Sequence, residues 1–388
     1  MRADLPTLPA ISRPALSSLA SIALAATLAV SATAPVDAAE GQRKKAKAVK
    51  ANKAPAKAVP KKAAFDYEGE FVNFGDWTEV NQFLDDMVAK HGFQRTELDA
   101  LMAKVRYVDS TIELMKPAPP GKPKNWQAYS QRFIEPVRIN AGVQFWNDNA
   151  ATLARAEQEF GVPAEIIVGI IGVETVYGRN TGRFRVLDAL TTLAFAYPES
   201  PNRSARMDFF RGELENALVF ARKNEIDPLS LLGSYAGAIG LPQFMPSSII
   251  NYAVDYDGDG HIDLRNSTAD AIGSVASFLV QHGWQRNDPA PGVYPVTVSP
   301  NRVWEKLLGQ GLQARFTPQQ IEAAGVSSGA PLPQGLLYGL VDLQNGSEAT
   351  EYWLATNNFY AITQYNRSYF YAMSVLDLGR AVRQARGM

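Results

Sequence analysis

Apolar side chains recur at helical spacing along most of the chain from residue 65 onward. Apolar residues repeated every three to four positions form one face of an α-helix. Pro163 marks the start and Gly178 the stop of one such segment, since proline suits the first turn and glycine the residue beyond the last. The predicted helical segments are 80–105, 126–160, 166–177, 186–196, 205–223, 269–282 and 371–385.

Strand-like runs are few and short, at 294–298 and 358–363. No internal repeat is visible. The expected fold class is therefore mostly α with small β elements, an α+β arrangement.

The first 39 residues have the organisation of a secretory signal peptide. Arg2 and Arg13 precede an apolar run at 16–30, and small residues follow as far as Ala39. This run is shorter than the ~20 apolar residues that a membrane-spanning helix needs, which favours a cleaved signal over an uncleaved anchor. No other stretch approaches that length, so we expect no transmembrane segment after cleavage.

Residues 40–64 carry eight lysines and Arg43 against Glu40, a net charge of +8. With little to bury, this segment is predicted to be a disordered basic linker. It is either simply solvated or attached by charge to an anionic surface such as a membrane or cell-wall polymer. Residues 65–388 hold 27 basic and 36 acidic side chains, a net charge of −9, which argues against nucleic acid as a partner.

The absence of cysteine excludes disulfides, thiolate metal sites and a cysteine nucleophile. The three histidines are His91, His261 and His282, and no HExxH pair occurs, which argues against histidine-bound zinc.

The run GIIGVETVYG at 169–178 places a carboxyl group on an apolar helix face. Glu174 shares that face with Ile167, Ile170 and Ile171. Such surroundings disfavour the charged form, so the pKa of Glu174 is expected to rise, as a general acid requires. The alternative is a buried glutamate paired with an arginine or completing a hydrogen-bond network.

The run GSYAGAIGLPQFMPSS at 233–248 is rich in small residues, which let backbones approach closely. Gln243 follows on a proline-flanked bend and is a candidate to bond a sugar amide or hydroxyl. The alternative is a tight helix–loop contact in which the backbone satisfies Gln243. The segment contains no GxSxG motif, so a serine hydrolase is not supported.

The run DYDGDGHID at 255–263 has the spacing of a calcium loop. Asp255, Asp257 and Asp259 take the first, third and fifth positions of an EF-hand-type loop, Gly260 the turn, and the His261 carbonyl the seventh position. The alternative is an acidic solvated turn. Because neighbouring carboxylates repel unless a cation lies among them, we favour calcium.

The closing ligand of this loop is less regular. The twelfth position is Asn266 instead of the usual bidentate glutamate. Asp270, four residues later, is the candidate that closes the shell, with Asp263 as its substitute.

The segment 357–373 is rich in tyrosine and phenylalanine. It predicts either a wall on which sugars stack, with amide and hydroxyl donors, or an aromatic core.

Together these segments resemble the lytic murein transglycosylase B family, glycoside hydrolase family 103. The resemblance spans roughly residues 66–385 and is far more specific jointly than any one motif. The matching segments are 174–178, 233–238, 243–248, 255–261, 270–276, 358–360 and 365–366.

The resemblance implies a lysozyme-like helical catalytic core over 65–388, with α, core and β subdomains around a groove. Glu174 matches the single catalytic acid/base. The positions that match the substrate groove are Ser234, Gln243, Tyr365, Asn366, Tyr371, Tyr129 and Arg206. The positions that match the calcium ligands are Asp255, Asp257, Asp259, the carbonyl of His261 and Asp270.

The implied activity is cleavage of the β-1,4 bond between N-acetylmuramic acid and N-acetylglucosamine in peptidoglycan, with formation of a 1,6-anhydro ring. The implied setting is a periplasmic monomer that acts on glycan strands and holds structural calcium. Two alternatives stay open. A hydrolytic muramidase of the same fold would use a second carboxylate, for which Asp188 is the nearest downstream candidate. A catalytically idle wall-binding scaffold would lack the acid, whereas Glu174 is present.

Overall fold

A computed structural model of the chain describes residues 72–116, 123–286 and 292–388. The predicted signal peptide at 1–39 and the basic linker at 40–64 lie outside the described residues. The described part is mostly helical with small antiparallel sheets, which confirms the predicted fold class.

Helices account for most of the regular structure in the described ranges. The α-helices are α1 (Thr78–His91), α2 (Arg95–Met102), α3 (Asp109–Met115), α4 (Trp126–Ser130), α5 (Pro136–Asp148), α6 (Ala150–Phe160), α7 (Ala164–Thr175), α8 (Val186–Ala196), α9 (Arg203–Lys223), α10 (Pro246–Tyr252), α11 (Thr268–Gln281), α12 (Pro318–Ala323), α13 (Asn357–Tyr365) and α14 (Tyr369–Ala385). Short 3₁₀ helices lie at Phe74–Asp76, Pro228–Ser230 and Val303–Leu307. The strands are β1 (Phe184–Arg185), β2 (Leu232–Gly233), β3 (Val293–Val298), β4 (Val326–Ser328), β5 (Gly339–Asn345) and β6 (Glu348–Ala355).

Local breaks divide two of the predicted helical segments. The segment 80–105 is two helices, because Gly92 takes a left-handed conformation (φ 66°) after α1. The segment 126–160 is three helices, α4 to α6. Pro136 begins α5, where its missing N–H costs nothing.

The predicted strand at 358–363 was wrong, since these residues lie in α13. Side chains from Asn358 to Thr363 are all buried, so the polar face that reveals a helix is absent. Aromatic and β-branched residues then favour a strand on propensity alone. Strand β3 confirms the run at 294–298, whereas β5 and β6 were not predicted.

The most apolar helix, α7, lies at the centre of the main core and packs antiparallel on α14. Two glycines allow this contact. A Cβ at Gly169 would lie 2.3 Å from the carbonyl oxygen of Val375, and one at Gly379 would lie 2.3 Å from that of Glu165. Any larger residue would push the helices apart. The same register brings the start of α14 against the end of α7.

The larger sheet has the strand order β4–β3–β6–β5, with all neighbours antiparallel. One of its faces carries a second, smaller core that includes Trp304, Ile321 and Tyr338. The buried side chain of Asn345, at the end of β5, accepts a 2.9 Å hydrogen bond from the backbone N–H of Gln127 in α4. This contact joins the sheet to the helical part.

Among the helices within the described ranges, none combines the length and apolar character needed to cross a membrane.

Candidate active site

Glu174 is the penultimate residue of α7 and the one residue of that helix that is only partly buried. Ile167, Ile170 and Ile171 on the same face are completely buried, as the helical spacing predicts. The carboxyl group is thus enclosed by protein while part of the side chain stays open to solvent. A proton donor must be within reach of its substrate, and this partial exposure meets that need.

Tyr371, in the first turn of α14, is the hydrogen-bond partner of Glu174. Its hydroxyl group donates to Oε1 of Glu174 at 2.6 Å. The partner of this carboxyl group is therefore a neutral hydroxyl donor and not the arginine considered in the sequence analysis. Tyr371 is itself buried, so its hydroxyl position is fixed by packing.

Burial raises the pKa of Glu174 to about 7, against the opposing effect of the hydrogen bond from Tyr371. This is the direction that the sequence predicts. A carboxyl group with this pKa is both a competent acid and a competent base at neutral pH.

The chain after Glu174 is held in an unusual conformation. Val176 and Tyr177 have φ angles of 51° and 57°, in the left-handed region that side chains rarely adopt. Helix α7 therefore ends at Thr175, two residues before the end at residue 177 that Gly178 predicted. Strain of this kind concentrates at functional sites when surrounding contacts enforce it.

Thr175 supplies those contacts. Its buried hydroxyl group donates to the carbonyl of Leu241 at 2.9 Å and accepts from the N–H of Gly178 at 3.0 Å. The end of α7 is thus fixed to the small-residue segment. Sequence reasoning gave Thr175 no role, although it lies in the matching motif.

The same small-residue segment meets the aromatic wall. The hydroxyl group of Tyr365 donates to the carbonyl of Pro242 at 2.6 Å, and its ring is stacked on that of Tyr371 with centroids 6.3 Å apart. The carboxyl group of Glu174 contributes to the raised pKa of Tyr365, after burial. Tyr365 and Tyr371 thus lie beside Glu174, whereas Phe359 and Tyr360 belong to the core.

Tyr129 also lies near the carboxyl group of Glu174. Burial raises its pKa first, and the charge of Glu174 adds to the effect. Its ring packs on Phe133, Phe370 and Trp126. The structure thus brings Tyr129, Tyr365 and Tyr371 together around Glu174.

Gln243 and Ser234 already have partners within the chain. The amide nitrogen of Gln243 donates to the carbonyls of Gly240 (2.9 Å) and Thr181 (3.2 Å), as in the tight-packing alternative. The hydroxyl oxygen of Ser234 accepts from the N–H of Ala238 at 3.1 Å and closes a turn. Both side chains shape the loop, which limits what they can offer to a ligand.

The other two predicted groove residues differ in position. Asn366 is half-buried directly after α13, between Tyr365 and the start of α14. Arg206 is buried in α9, where it donates to the hydroxyl of Tyr197 and lies over the ring of Phe210. Arg206 therefore contributes to the packing between the end of α8 and α9.

Asp188, the candidate second carboxylate, is fully buried and held by protein groups. Oδ2 accepts from Nε of Arg185 at 2.7 Å, and Oδ1 accepts from the N–H of Arg106 at 3.1 Å. The influences on the pKa of Glu174 are burial and Tyr371, with no contribution from Asp188. This arrangement indicates a structural ion pair.

The acidic loop brings three predicted metal ligands together. Oxygen atoms of the exposed residues Asp255, Asp257 and Asp259 lie within 4.8 Å of one another. Backbone N–H groups, above all that of Gly260, hold the pKa of Asp255 below its ordinary value. A set of ionised oxygen ligands suits a hard cation such as calcium.

Asp270 is not one of the three clustered carboxylates, and its hydrogen bonds brace the loop beside them. Its buried carboxylate accepts from the N–H groups of Tyr256 and Asp263, each at 2.8 Å. Asp263 in turn accepts from the N–H groups of Arg265 and Asn266. Both candidates for the closing ligand therefore organise the backbone around the three carboxylates.

A mostly helical fold with a carboxyl group whose pKa is raised to about 7, set among tyrosines, is typical of a lysozyme-like enzyme. The profile of the transglycosylase SLT domain family matches residues 75–380. The chain is 44% identical over 322 residues to the membrane-bound lytic murein transglycosylase B of Escherichia coli, covering 81% of this chain and 85% of that protein. The chain belongs to this transglycosylase family.

Solved structures agree with this assignment. The crystal structure of the soluble lytic transglycosylase SltB1 from Pseudomonas aeruginosa superposes with a TM-score of 0.72 at 45% identity, covering 80% of this chain and all of that one. The Escherichia coli lytic transglycosylase Slt35, solved in complex with calcium, gives a TM-score of 0.72 at 42% identity and covers 82% and 97% of the two chains.

Proposed function

We propose that Glu174 is the single acid and base with which this chain cleaves peptidoglycan. The chain is a lytic transglycosylase, an enzyme that acts on the glycan strands of that polymer. The observation that carries the residue assignment is the carboxyl group of Glu174, raised in pKa to about 7 and bonded to Tyr371.

In the first step, protonated Glu174 donates its proton to the oxygen that links N-acetylmuramic acid to N-acetylglucosamine. The bond from that oxygen to C1 of the muramic residue breaks, and positive charge develops on the sugar. The raised pKa keeps the proton available at neutral pH. The rings of Tyr365 and Tyr371, which stack on each other, lie beside the carboxyl group that gives up this proton.

In the second step, the carboxylate of Glu174 takes the proton of the muramic C6 hydroxyl group, whose oxygen attacks C1. A 1,6-anhydro ring forms, no water is consumed, and Glu174 regains its proton. Because the nucleophile is part of the same sugar, orientation supplies much of the rate. Tyr371 stabilises the carboxylate that exists between the two steps.

The hydrolytic alternative gains no support from Asp188, because both oxygens of that carboxylate are bonded to protein groups. Two-carboxylate glycosidases need the second group free for water or for the sugar. One carboxyl group that serves both steps fits the arrangement around Glu174 better. The idle-scaffold alternative is not favoured either, since the acid is present with its pKa raised.

The substitution Glu174→Gln tests the residue assignment. Glutamine keeps the size but cannot exchange the proton, so turnover of purified peptidoglycan should fall by about 10²–10⁴-fold. A matched control is Glu165→Gln, on the same helix, whose carboxylate bonds Arg383 at 3.0 Å. That variant should keep its turnover per folded molecule. Near-wild-type turnover in folded Glu174→Gln would end the case for this residue.

We also propose that the acidic loop holds calcium through Asp255, Asp257 and Asp259, with the carbonyl of His261 and with Asp270 completing or bracing the shell. The mutual approach of three exposed carboxylates supports this. Calcium would supply positive charge that cancels their repulsion and fixes the loop. The role is structural.

The setting that we propose is the periplasm, reached through the signal peptide at 1–39, with the chain acting as a monomer. The leader pattern at 1–39 supports this setting.

A further inference from the structure

Thr175, the last residue of α7, carries a hydroxyl group that is fully buried directly after Glu174 in the chain. Its oxygen lies 2.9 Å from the carbonyl oxygen of Leu241 and 3.2 Å from that of Ile171 in its own helix. The N–H group of Gly178 donates to the same oxygen at 3.0 Å. Since a hydroxyl group can donate one proton and also accept, it serves both contacts outside the helix at once.

The contact with Gly178 spans the strained turn that follows the acid. Val176 and Tyr177 both have positive φ angles, 51° and 57°. Residues other than glycine adopt this region rarely, and such conformations persist where neighbouring contacts enforce them. The hydrogen bond from Gly178 to Thr175 closes across these two residues. It thereby fixes the direction in which the chain leaves α7, just after Glu174.

The contact with Leu241 ties α7 to a segment that is itself held by the rest of the protein. The N–H group of Leu241 donates to the carbonyl of Leu264 at 2.8 Å. A Cβ at the preceding residue, Gly240, would lie 2.3 Å from that same carbonyl oxygen, so the two backbones are in close contact. The carbonyl of Pro242 accepts from the hydroxyl group of Tyr365 at 2.6 Å. The carbonyl of Leu241 is therefore a fixed reference point for the end of α7.

This reference point bears on how the acid is held. Tyr371, in α14, bonds Oε1 of Glu174 through its side chain. Packing of α7 on α14 sets the distance between the two helices, but the last turn of a helix frays unless further contacts hold it. Thr175 supplies such a contact, from the last turn of α7 to the small-residue segment.

We propose that Thr175 is a positioning residue for the reaction: its hydroxyl group fixes the last turn of α7 and so aligns the carboxyl group of Glu174 with Tyr371 and with the sugar. The proposal rests on the proposed function, in which Glu174 transfers both protons. Because Thr175 is fully buried, it acts through Glu174 and does not contact the substrate. Displacement of a reacting group by about 1 Å can cost about 10²-fold in rate.

The substitution Thr175→Val tests this assignment, because valine keeps the shape of threonine and removes the hydroxyl group. On soluble fragments of purified peptidoglycan, kcat should fall by about 10–10²-fold. KM should change by less than about twofold, since no contact with the ground-state substrate is lost. The matched control is Thr192→Val, on α8, where an equally buried hydroxyl group accepts from the N–H group of Val108 at 3.1 Å. It should lower stability and leave kcat per folded molecule unchanged.

A second pair of variants, which differ in one atom, decides the question even if Thr175→Val does not fold. Thr175→Ser keeps the hydroxyl group, whereas Thr175→Cys puts a weakly hydrogen-bonding thiol in its place. The serine variant should keep most of the wild-type kcat, and the cysteine variant should lie about tenfold below it. Equal kcat in these two variants, or wild-type kcat in folded Thr175→Val, would overturn the proposal.

Combination with Glu174→Gln shows whether Thr175 acts through the acid. Residues that act as one unit have non-additive effects. Thr175→Val should therefore change the residual turnover of Glu174→Gln by less than about twofold, in contrast to its effect on the wild-type chain. A full loss in both backgrounds, or an equal loss in Thr192→Val, would assign Thr175 a merely structural role and contradict the proposal. Failure of the proposed function would look different, because Glu174→Gln itself would then keep its turnover.

Discussion

The hydroxyl group of Tyr371 donates a 2.6 Å hydrogen bond to Oε1 of Glu174, across 197 positions of the chain. Burial favours the neutral carboxylic acid, whereas this hydrogen bond favours the carboxylate. The pKa of about 7 is the balance of the two. Because one group must donate and then accept a proton, a balance near neutrality serves both halves of the reaction.

Removing the hydroxyl group in Tyr371→Phe should raise the pKa of Glu174 above about 7, since the bond that stabilises the carboxylate is lost. The alkaline limb of the kcat/KM profile should move to higher pH, while the maximal rate falls because the carboxylate is less stabilised. A pH–rate profile measures both. Tyr365→Phe is the matched control, since its hydroxyl bonds Pro242 instead. An alkaline limb that stays in place in Tyr371→Phe would contradict this account.

The raised pKa of Glu174 also predicts how stability depends on pH. The folded protein holds this proton more tightly than the unfolded chain, whose ordinary glutamate pKa is 4.5. The stabilisation is complete below that value and is lost as the pH rises through about 7. Glu174→Gln should therefore be more stable than wild type at pH ~8, by about 2–3 kcal/mol, with little difference at pH ~4. Denaturant titrations at the two pH values test this; a variant less stable at the higher pH would indicate a broken buried pair instead.

Calcium should raise the melting temperature of the protein, because it binds the folded loop and not the unfolded chain. Chelation should reverse the effect, and Asp257→Asn should abolish it by removing one of three clustered carboxylates. The control Asp227→Asn alters a similar turn-capping aspartate that bonds the N–H of Leu229 elsewhere. Melting curves insensitive to calcium, chelator and Asp257→Asn alike would show that the loop is not a metal site.

Asp188→Asn should destabilise the protein without removing its chemistry. The substitution leaves the guanidinium group of Arg185 without its buried countercharge, at a cost of about 3 kcal/mol. Turnover per folded molecule should remain close to that of wild type. A folded Asp188→Asn variant that loses activity as severely as Glu174→Gln would show that Asp188 takes part in the reaction. That result would favour the hydrolytic alternative.

The sequence identifies α7 and its acid because the necessary information is local. The isoleucines around Glu174 appear at helical spacing, and their burial raises the pKa of the carboxyl group. The partner of that group is not local. Nothing in the spacing of α7 or α14 alone says that Gly169 and Gly379 set the register that brings Tyr371 to Glu174.

A side chain that the sequence pattern suggests for ligand binding can instead form hydrogen bonds with the backbone. Gln243 has the chemistry of a sugar-binding residue, yet its amide nitrogen holds the loop. Asp270 likewise has the chemistry of a metal ligand, yet it binds N–H groups of the acidic loop. Such competition depends on the folded path of the chain, which the order of residues does not reveal.

The central claim, that Glu174 directs an internal hydroxyl group and not water onto the sugar, is tested most directly by the mass of the products. Purified peptidoglycan is digested in water enriched in heavy oxygen, and the released fragments are analysed by mass spectrometry. The account predicts fragments that end in 1,6-anhydromuramic acid, one water lighter than hydrolytic products and free of the label. Reducing ends that carry the heavy oxygen as the only products would contradict it.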